Sequence, residues 1–258
     1  MRRGSVEAMS THEHEAQGLG QERHRGPLRE GERVQIRDPK GRLHTVILVS
    51  GGRFQSNRGF INHDDLIGCP DGQVITTEEG HQFQILRPLQ VDYVMSMPRG
   101  AAVVYPKDAG TIVHYADIFP GAVVVEAGAG SGALSMALLD AVGERGRLIS
   151  VERREEFAQI ARDNVELWFG APHPAWDLRV NDLADELNAM PASSVDRVVL
   201  DMLAPWENLD AVAHALVPGG VLCCYIATVT QMSRLIEDLR SSENFTDPVA
   251  WETLSREW

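Results

Sequence analysis

Two textures of apolar and polar positions divide this chain. From Arg33 the apolar residues come in short alternating runs: Val34-x-Ile36, Thr45-Val46-Ile47-Leu48-Val49, Arg53-Phe54, Gly59-Phe60-Ile61 and Gln82-Phe83-Gln84-Ile85-Leu86. Turn-forming clusters separate them, namely Asp38-Pro39-Lys40-Gly41, Ser50-Gly51-Gly52 and Pro70-Asp71-Gly72. Period-two runs bounded by such turns predict a small all-β module ending near Pro88. A connector follows to Gly100. From Pro106 the texture changes to solid apolar runs alternating with helical periodicity. It predicts a helix over 106–119, then strand 122–127, helix 132–142, strand 147–152, helix 154–169, strand 177–182, strand 195–201, helix 206–216, strand 220–227 and helix 230–240. That alternation is the pattern of an α/β, doubly wound parallel sheet. Residues 1–28 are polar and aperiodic, and read as a disordered leader. The predicted organisation is therefore leader 1–28, β module and connector 29–100, and α/β domain 101–258.

The strand predicted at 122–127 ends in Glu126 and runs into Gly128-Ala129-Gly130-Ser131-Gly132-Ala133-Leu134. Strand, tight glycine turn and helix N-terminus form a cofactor site in outline. Glycine lets backbone approach a ligand closely, and the helix start offers unpaired N–H groups. Two cofactors fit the spacing. Gly128-x-Gly130-x-x-Ala133 satisfies the dinucleotide fingerprint. Gly128-x-Gly130-x-Gly132 after Glu126 is the S-adenosylmethionine (SAM) form. An acid beside the turn repels a pyrophosphate but suits the ammonium of an amino acid, which favours SAM.

Three more acids close predicted strands. Glu152 lies 20 residues after Gly132 and can accept both ribose hydroxyls of either cofactor. Asp182 can take an adenine amino group. Asp201 ends the run Val195-Asp196-Arg197-Val198-Val199-Leu200 and is followed by Met202-Leu203-Ala204-Pro205-Trp206. A carboxylate at the end of a central strand, with a rigid turn and an aromatic wall beside it, suits a planar base.

Tyr105-Pro106-Lys107-Asp108, the 126–132 turn and Asp201-Met202-Leu203-Ala204-Pro205-Trp206, in this order, resemble the tRNA adenine-58 N1-methyltransferases, especially the actinobacterial and wider prokaryotic branch. The resemblance spans about Gly31 to Trp258. It implies a Rossmann-like SAM methyltransferase sheet with SAM held by Ser131, Gly132, Ala133, Leu134, Glu152, Asp182 and Asp201. It implies that Asp201 and Tyr105 lie at the reacting base, and that Phe157 packs an apolar edge on the adenine of SAM. It also implies a tRNA substrate and a homotetramer. With no signal-peptide pattern and no membrane-length apolar run in the sequence, a cytoplasmic location is the expectation. The family sheet carries two further strands. This chain stops at Trp258, inside the expected sixth, without the family's closing Gly-His-Thr segment, so an incomplete C-terminal edge is expected. Two alternatives stay open: a SAM methyltransferase with another substrate, and a non-catalytic tRNA-binding subunit of the same fold.

Charge refines the picture. The net charge of −13 is unusual for an RNA-binding protein, but residues 1–100 hold 13 Lys/Arg against 13 Asp/Glu and residues 101–258 hold 11 against 24. The acid excess thus lies in the α/β half, partly in the site itself. Arg33, Arg37, Lys40, Arg42, Arg53 and Arg58 in the β module are the candidates for phosphate contacts. Three cysteines, Cys69, Cys223 and Cys224, read as reduced; the last two are strand neighbours pointing to opposite faces. His12, His14 and His24 have no metal-ligand spacing, and no metal is expected. No run is apolar and long enough for a membrane span.

Overall fold

The computed structural model describes residues 25–256 and Trp258. The expected leader and its three histidines fall outside the described residues, apart from positions 25–28. Six short strands build the first part: β1 Arg33–Arg37, β2 Leu43–Ile47, β3 Arg53–Ser56, β4 Gly59–Asn62, β5 Val74–Thr76 and β6 Gln82–Leu86. They form an antiparallel sheet in the order β2-β1-β6-β5 and a separate β3-β4 hairpin. Leu28, Val34, Ile36, Leu48, Ile61, Leu66, Phe83 and Ile85 make its own core. Strand β5 went unpredicted because three residues are too few to show a period.

The second part carries β7 Val123–Ala127, β8 Arg147–Glu152, β9 Trp176–Val180, β10 Val195–Leu200 and β11 Leu216–Cys224. All pairs are parallel, in the order β11-β10-β7-β8-β9. Helices cover both faces, so successive strand residues are buried in alternate directions. Val124, Leu148, Val199 and Cys223 enter one core, while Val125, Ile149, Val198 and Leu200 enter the other. Cys223 and its neighbour Cys224 divide in the same way, and all three cysteines are free.

The helices are α1 Gln90–Ser96, α2 Pro106–Tyr115, α3 Ala133–Val142, α4 Glu155–Phe169, α5 Leu183–Ala189, α6 Leu209–Ala215 and α7 Val229–Ser241. Several differ from the sequence expectation. The connector contains α1, whose Tyr93 is fully buried and packs its ring at a tilt against Trp168, with ring centroids 4.9 Å apart. Helix α2 stops at Tyr115, since Asp117 turns into the left-handed region at φ 50°. Strand β9 ends at Val180, and Asp182 begins the unpredicted α5, accepting Ala184 N–H at 3.0 Å as its N-cap. The helix expected over 206–216 is a 3-10 turn, Pro205–Asn208, leading into α6, and Leu216 already belongs to β11.

Among the described residues no strand follows α7. A strand exists by pairing, and this segment leaves the free edge of β11 unpaired and packs on α2 instead. Trp251 stacks on Tyr115 at 4.8 Å, and Lys107 Nζ donates to the Thr253 carbonyl at 2.9 Å. Among the described residues no helix is long and apolar enough to cross a membrane.

Candidate active site

The strand order reverses at β7, because β8 and β9 lie on one side of it and β10 and β11 on the other. Open α/β sheets hold ligands beyond the carboxyl ends of the strands at such a switch point. The glycine turn leaves β7 there, and Asp201 leaves β10. They touch directly. A Cβ on Gly128 would lie 1.9 Å from the Asp201 carbonyl oxygen, and the Gly128 φ of +85° already favours glycine. Asp201 N–H in turn donates to Ala127 O at 2.9 Å.

The turn is braced from outside the sheet. Ser131 is buried, and its hydroxyl accepts Gly100 N–H at 3.2 Å. Asn164 of α4 donates to the Ser131 carbonyl and to Pro98 O, both at 2.9 Å. Tyr93 of α1 donates to Asn164 O at 2.8 Å. The connector therefore braces the glycine turn through Asn164, an arrangement invisible in the sequence because Tyr93, Ser131 and Asn164 are far apart. Gly132, Ala133 and Leu134 are buried at the start of α3.

The four acids occupy different settings. Glu152 is almost fully buried, accepting Gly130 N–H at 3.0 Å on one oxygen and facing Arg154 Nε at 3.2 Å with the other. The Arg154 guanidinium also lies over the Phe157 ring, 3.6 Å from its centroid. Asp182 is half exposed, 4.0 Å from Arg153. Asp201 is partly buried, and its pKa is pushed up to about 6 by burial and then by the charge of Glu152.

Glu126 departs from expectation. It exposes no surface, so the geometry does not present it to a ligand ammonium. Its Oε2 accepts the hydroxyls of Ser135 at 2.6 Å and Ser150 at 2.5 Å, while Oε1 is buried without a partner. Burial pushes its pKa up to about 7 against the lowering effect of the two serines. Trp176 Nε1 extends the chain by donating to Ser150 at 2.9 Å. The acid sits beneath the turn and ties α3 to β8.

Trp206 also differs from the expected open wall. Arg234 covers its ring at 4.3 Å, and it packs beside Leu209, Leu235 and Leu239. Open aromatic surface comes instead from Tyr105, the N-cap residue of α2, which is 48% exposed. A second tyrosine was missed by sequence reasoning. Tyr225 follows β11, and its N–H donates to Leu200 O at 2.8 Å, one residue before Asp201. Its hydroxyl donates to Asp108 at 3.2 Å. Burial pushes its pKa up to about 12, with Asp108, Asp201 and Tyr105 adding to the rise. The available signal was its place at the end of the strand beside that of Asp201.

These residues fit a SAM-type cofactor better than a dinucleotide. Carboxylates and backbone N–H groups surround the turn, and the only arginines on the cofactor acids are Arg153 and Arg154, among the described residues. Such a lining matches cationic, hydroxyl and amino groups, whereas a pyrophosphate would face repulsion. Fold and lining together define a SAM-dependent methyltransferase of the open-sheet type.

Comparison with known proteins agrees. The family model described as tRNA methyltransferase complex GCD14 subunit matches residues 83–258, and a TrmI-like N-terminal model matches residues 26–75. The chain belongs to the GCD14/TrmI family of tRNA methyltransferases. It is 34% identical over 201 residues to the tRNA (adenine(58)-N(1))-methyltransferase TrmI of Thermus thermophilus, covering 78% of this chain and 77% of that protein. It is 30% identical to the tRNA (adenine(57)-N(1)/adenine(58)-N(1))-methyltransferase TrmI of Methanocaldococcus jannaschii, covering 80% and 79%. Among solved structures it resembles tRNA (m1A58) methyltransferase TrmI of Aquifex aeolicus, with TM-score 0.72, 25% identity and 83% and 82% coverage. It also resembles a SAM-dependent O-methyltransferase of Thermotoga maritima, with TM-score 0.76, 29% identity and 84% and 79% coverage.

Proposed function

We propose that this protein methylates N1 of adenine 58 in the T-loop of tRNA, using SAM. The observation that carries the reading is Asp201, a partly buried carboxylate at the switch point between β7 and β10, grouped with Tyr105 and Tyr225. When bound, SAM supplies an electrophilic methyl group. Glu152 would hold its ribose, Asp182 and Phe157 its adenine, and the Gly128–Leu134 turn its amino-acid end. Glu126 supports that turn from below.

Adenine N1 carries a lone pair and no proton at neutral pH, so no strong general base is needed. Methylation makes the base cationic. Asp201, still mostly ionised above its pKa of about 6, accepts a hydrogen bond from the exocyclic amino group and stabilises that charge as it forms. Tyr105 offers its exposed ring to a base withdrawn from the stack. The remaining contribution is alignment of N1 with the methyl group.

Arg37, Lys40, Arg42 and Arg53 are exposed on the β module, and with the half-buried Arg58 they are proposed as phosphate contacts. Arg33 is not among them, because it donates to Ser96 O at 2.8 Å and lies over Tyr93 at the module boundary. The active form is proposed to be a cytoplasmic homo-oligomer, a tetramer by family resemblance. The test compares Asp201→Ala and Asp201→Asn for methyl transfer and for SAM affinity. The reading expects Asp201→Ala to keep its fold and lose most transfer, with Asp201→Asn retaining a fraction. A full-rate Asp201→Ala enzyme removes the charge-stabilisation role.

A further inference from the structure

Asp108 stands in the first turn of α2, and both of its oxygens are engaged. Oδ1 lies 2.7 Å from Lys107 Nζ, and Oδ2 accepts the Tyr225 hydroxyl at 3.2 Å. Lys107 is itself held by the Thr253 carbonyl at 2.9 Å, so its ammonium keeps pointing at Asp108. The Asp108 side chain is 14% exposed, which limits competition from water at the carboxylate.

A phenol has one proton to donate and two lone pairs to accept with. At Tyr225 the proton is committed to Asp108. Whatever else meets that oxygen must therefore be a donor. Asp201 follows Leu200, whose carbonyl accepts the Tyr225 N–H at 2.8 Å, and it is also an acceptor when ionised. The two together present an acceptor-only wall to the base.

We propose that Asp108 is a positioning residue that fixes Tyr225 as a hydrogen-bond acceptor, so that the base site selects a nucleobase carrying an exocyclic amino group next to the methylated nitrogen. A carbonyl in that place would meet two acceptors and leave all of them unpaired, which is the strong form of discrimination. The inference rests on the adenine-N1 reading above and adds the group that sets the polarity of the pocket.

Asp108→Asn is the informative variant. The Lys107 ammonium demands the amide oxygen, which leaves the amide nitrogen facing Tyr225. The phenol then accepts from Asn and turns its own proton toward the base, reversing the polarity with little change of shape. Tyr225→Phe removes the phenol oxygen altogether.

The test is a cycle between enzyme and substrate. Wild type, Asp108→Asn and Tyr225→Phe are each assayed for kcat/KM on tRNA carrying adenosine, or purine riboside, at the target position. Purine riboside keeps the ring nitrogen and lacks the amino group. Its intrinsically lower reactivity cancels in the cycle. In wild type, loss of the amino group should cost roughly 10- to 100-fold, the range for hydrogen bonds to charged groups. In both variants that penalty should shrink by about fivefold or more, while melting temperatures stay within a few degrees of wild type. An unchanged penalty in folded Asp108→Asn and Tyr225→Phe overturns the inference. Wild type that leaves N1 of adenosine unmethylated overturns the functional reading instead, so the two failures are told apart.

Discussion

Replacing Gly128 by alanine should damage stability and activity together, for a reason the structure gives in numbers. Two costs add. The residue holds φ +85°, where a Cβ costs about 1–2 kcal/mol. That Cβ would also lie 1.9 Å from the Asp201 carbonyl oxygen, a backbone atom that no rotamer change can move aside. Forcing it away is an overpacking cost of about 1–3 kcal/mol. Gly170, which ends α4 at φ +77°, has nothing within 4 Å of its would-be Cβ and bears only the first cost. Gly128→Ala should therefore lose about 2–5 kcal/mol and Gly170→Ala about 1–2 kcal/mol. Urea unfolding of both variants, with m-values compared, measures the difference. The displaced atom belongs to Asp201, so Gly128→Ala should also lose methyl transfer by on the order of 100-fold, as a misplacement of about 1 Å does. Gly170→Ala should retain full activity. Equal stabilities for the two variants, with activity intact in both, would refute the claim that the turn and Asp201 are packed as one unit.

Two further outcomes concern charge at the site. Burial holds Glu126 and Asp201 at about 7 and 6, above their ordinary values of 4.5 and 3.8. The stability they confer as neutral groups is complete below about pH 4 and lost as pH rises through 6–7. The ligand-free protein should thus melt lower at pH 8 than at pH 5 in a calorimetric series, and cationic SAM should bind more tightly over the same rise. A SAM affinity independent of pH would contradict this. Glu152 and Arg154 should act in opposite directions: Glu152→Ala should weaken SAM by about 1.5–3 kcal/mol. Arg154→Ala, which frees Glu152 and the Phe157 face, should tighten it by about 0.2–1 kcal/mol, the worth of a pair whose arginine is half exposed to solvent. Weaker binding in Arg154→Ala by titration calorimetry would show that the arginine holds the cofactor and does not compete with it.

Much of the fold was legible because both halves advertise their periods. The central parallel strands are buried on two faces and read as largely apolar runs, and four of the five strands have an acid at or within two residues of their carboxyl ends: Glu126, Glu152, Asp182 and Asp201. Helix α5 was hidden because its seven residues carry only two buried apolar positions, Leu183 and Leu187. Helix α1 was hidden because Val91 and Met95 are exposed, which blurs the apolar face that buries Tyr93 and Val94. The candidate site stood out in sequence through its glycine turn and through acids that each adjoin the end of a strand. Its long-range parts were not. Tyr225 and Asp108 are 117 positions apart, and the serines that enclose Glu126 come from α3 and β8. Sequence spacing also cannot show which face of an aromatic ring is already taken, as Arg234 takes that of Trp206 and Arg154 that of Phe157.

The central claim is the site of methylation, and one product analysis tests it. The protein is incubated with methyl-labelled SAM and unmodified tRNA, and the digested nucleosides are separated before mass spectrometry so that the N1 and N6 isomers of methyladenosine, equal in mass, are resolved. The account predicts label in N1-methyladenosine alone, and its loss when position 58 of the T-loop is not adenosine. Label in N6-methyladenosine, in another nucleoside or in protein would contradict it.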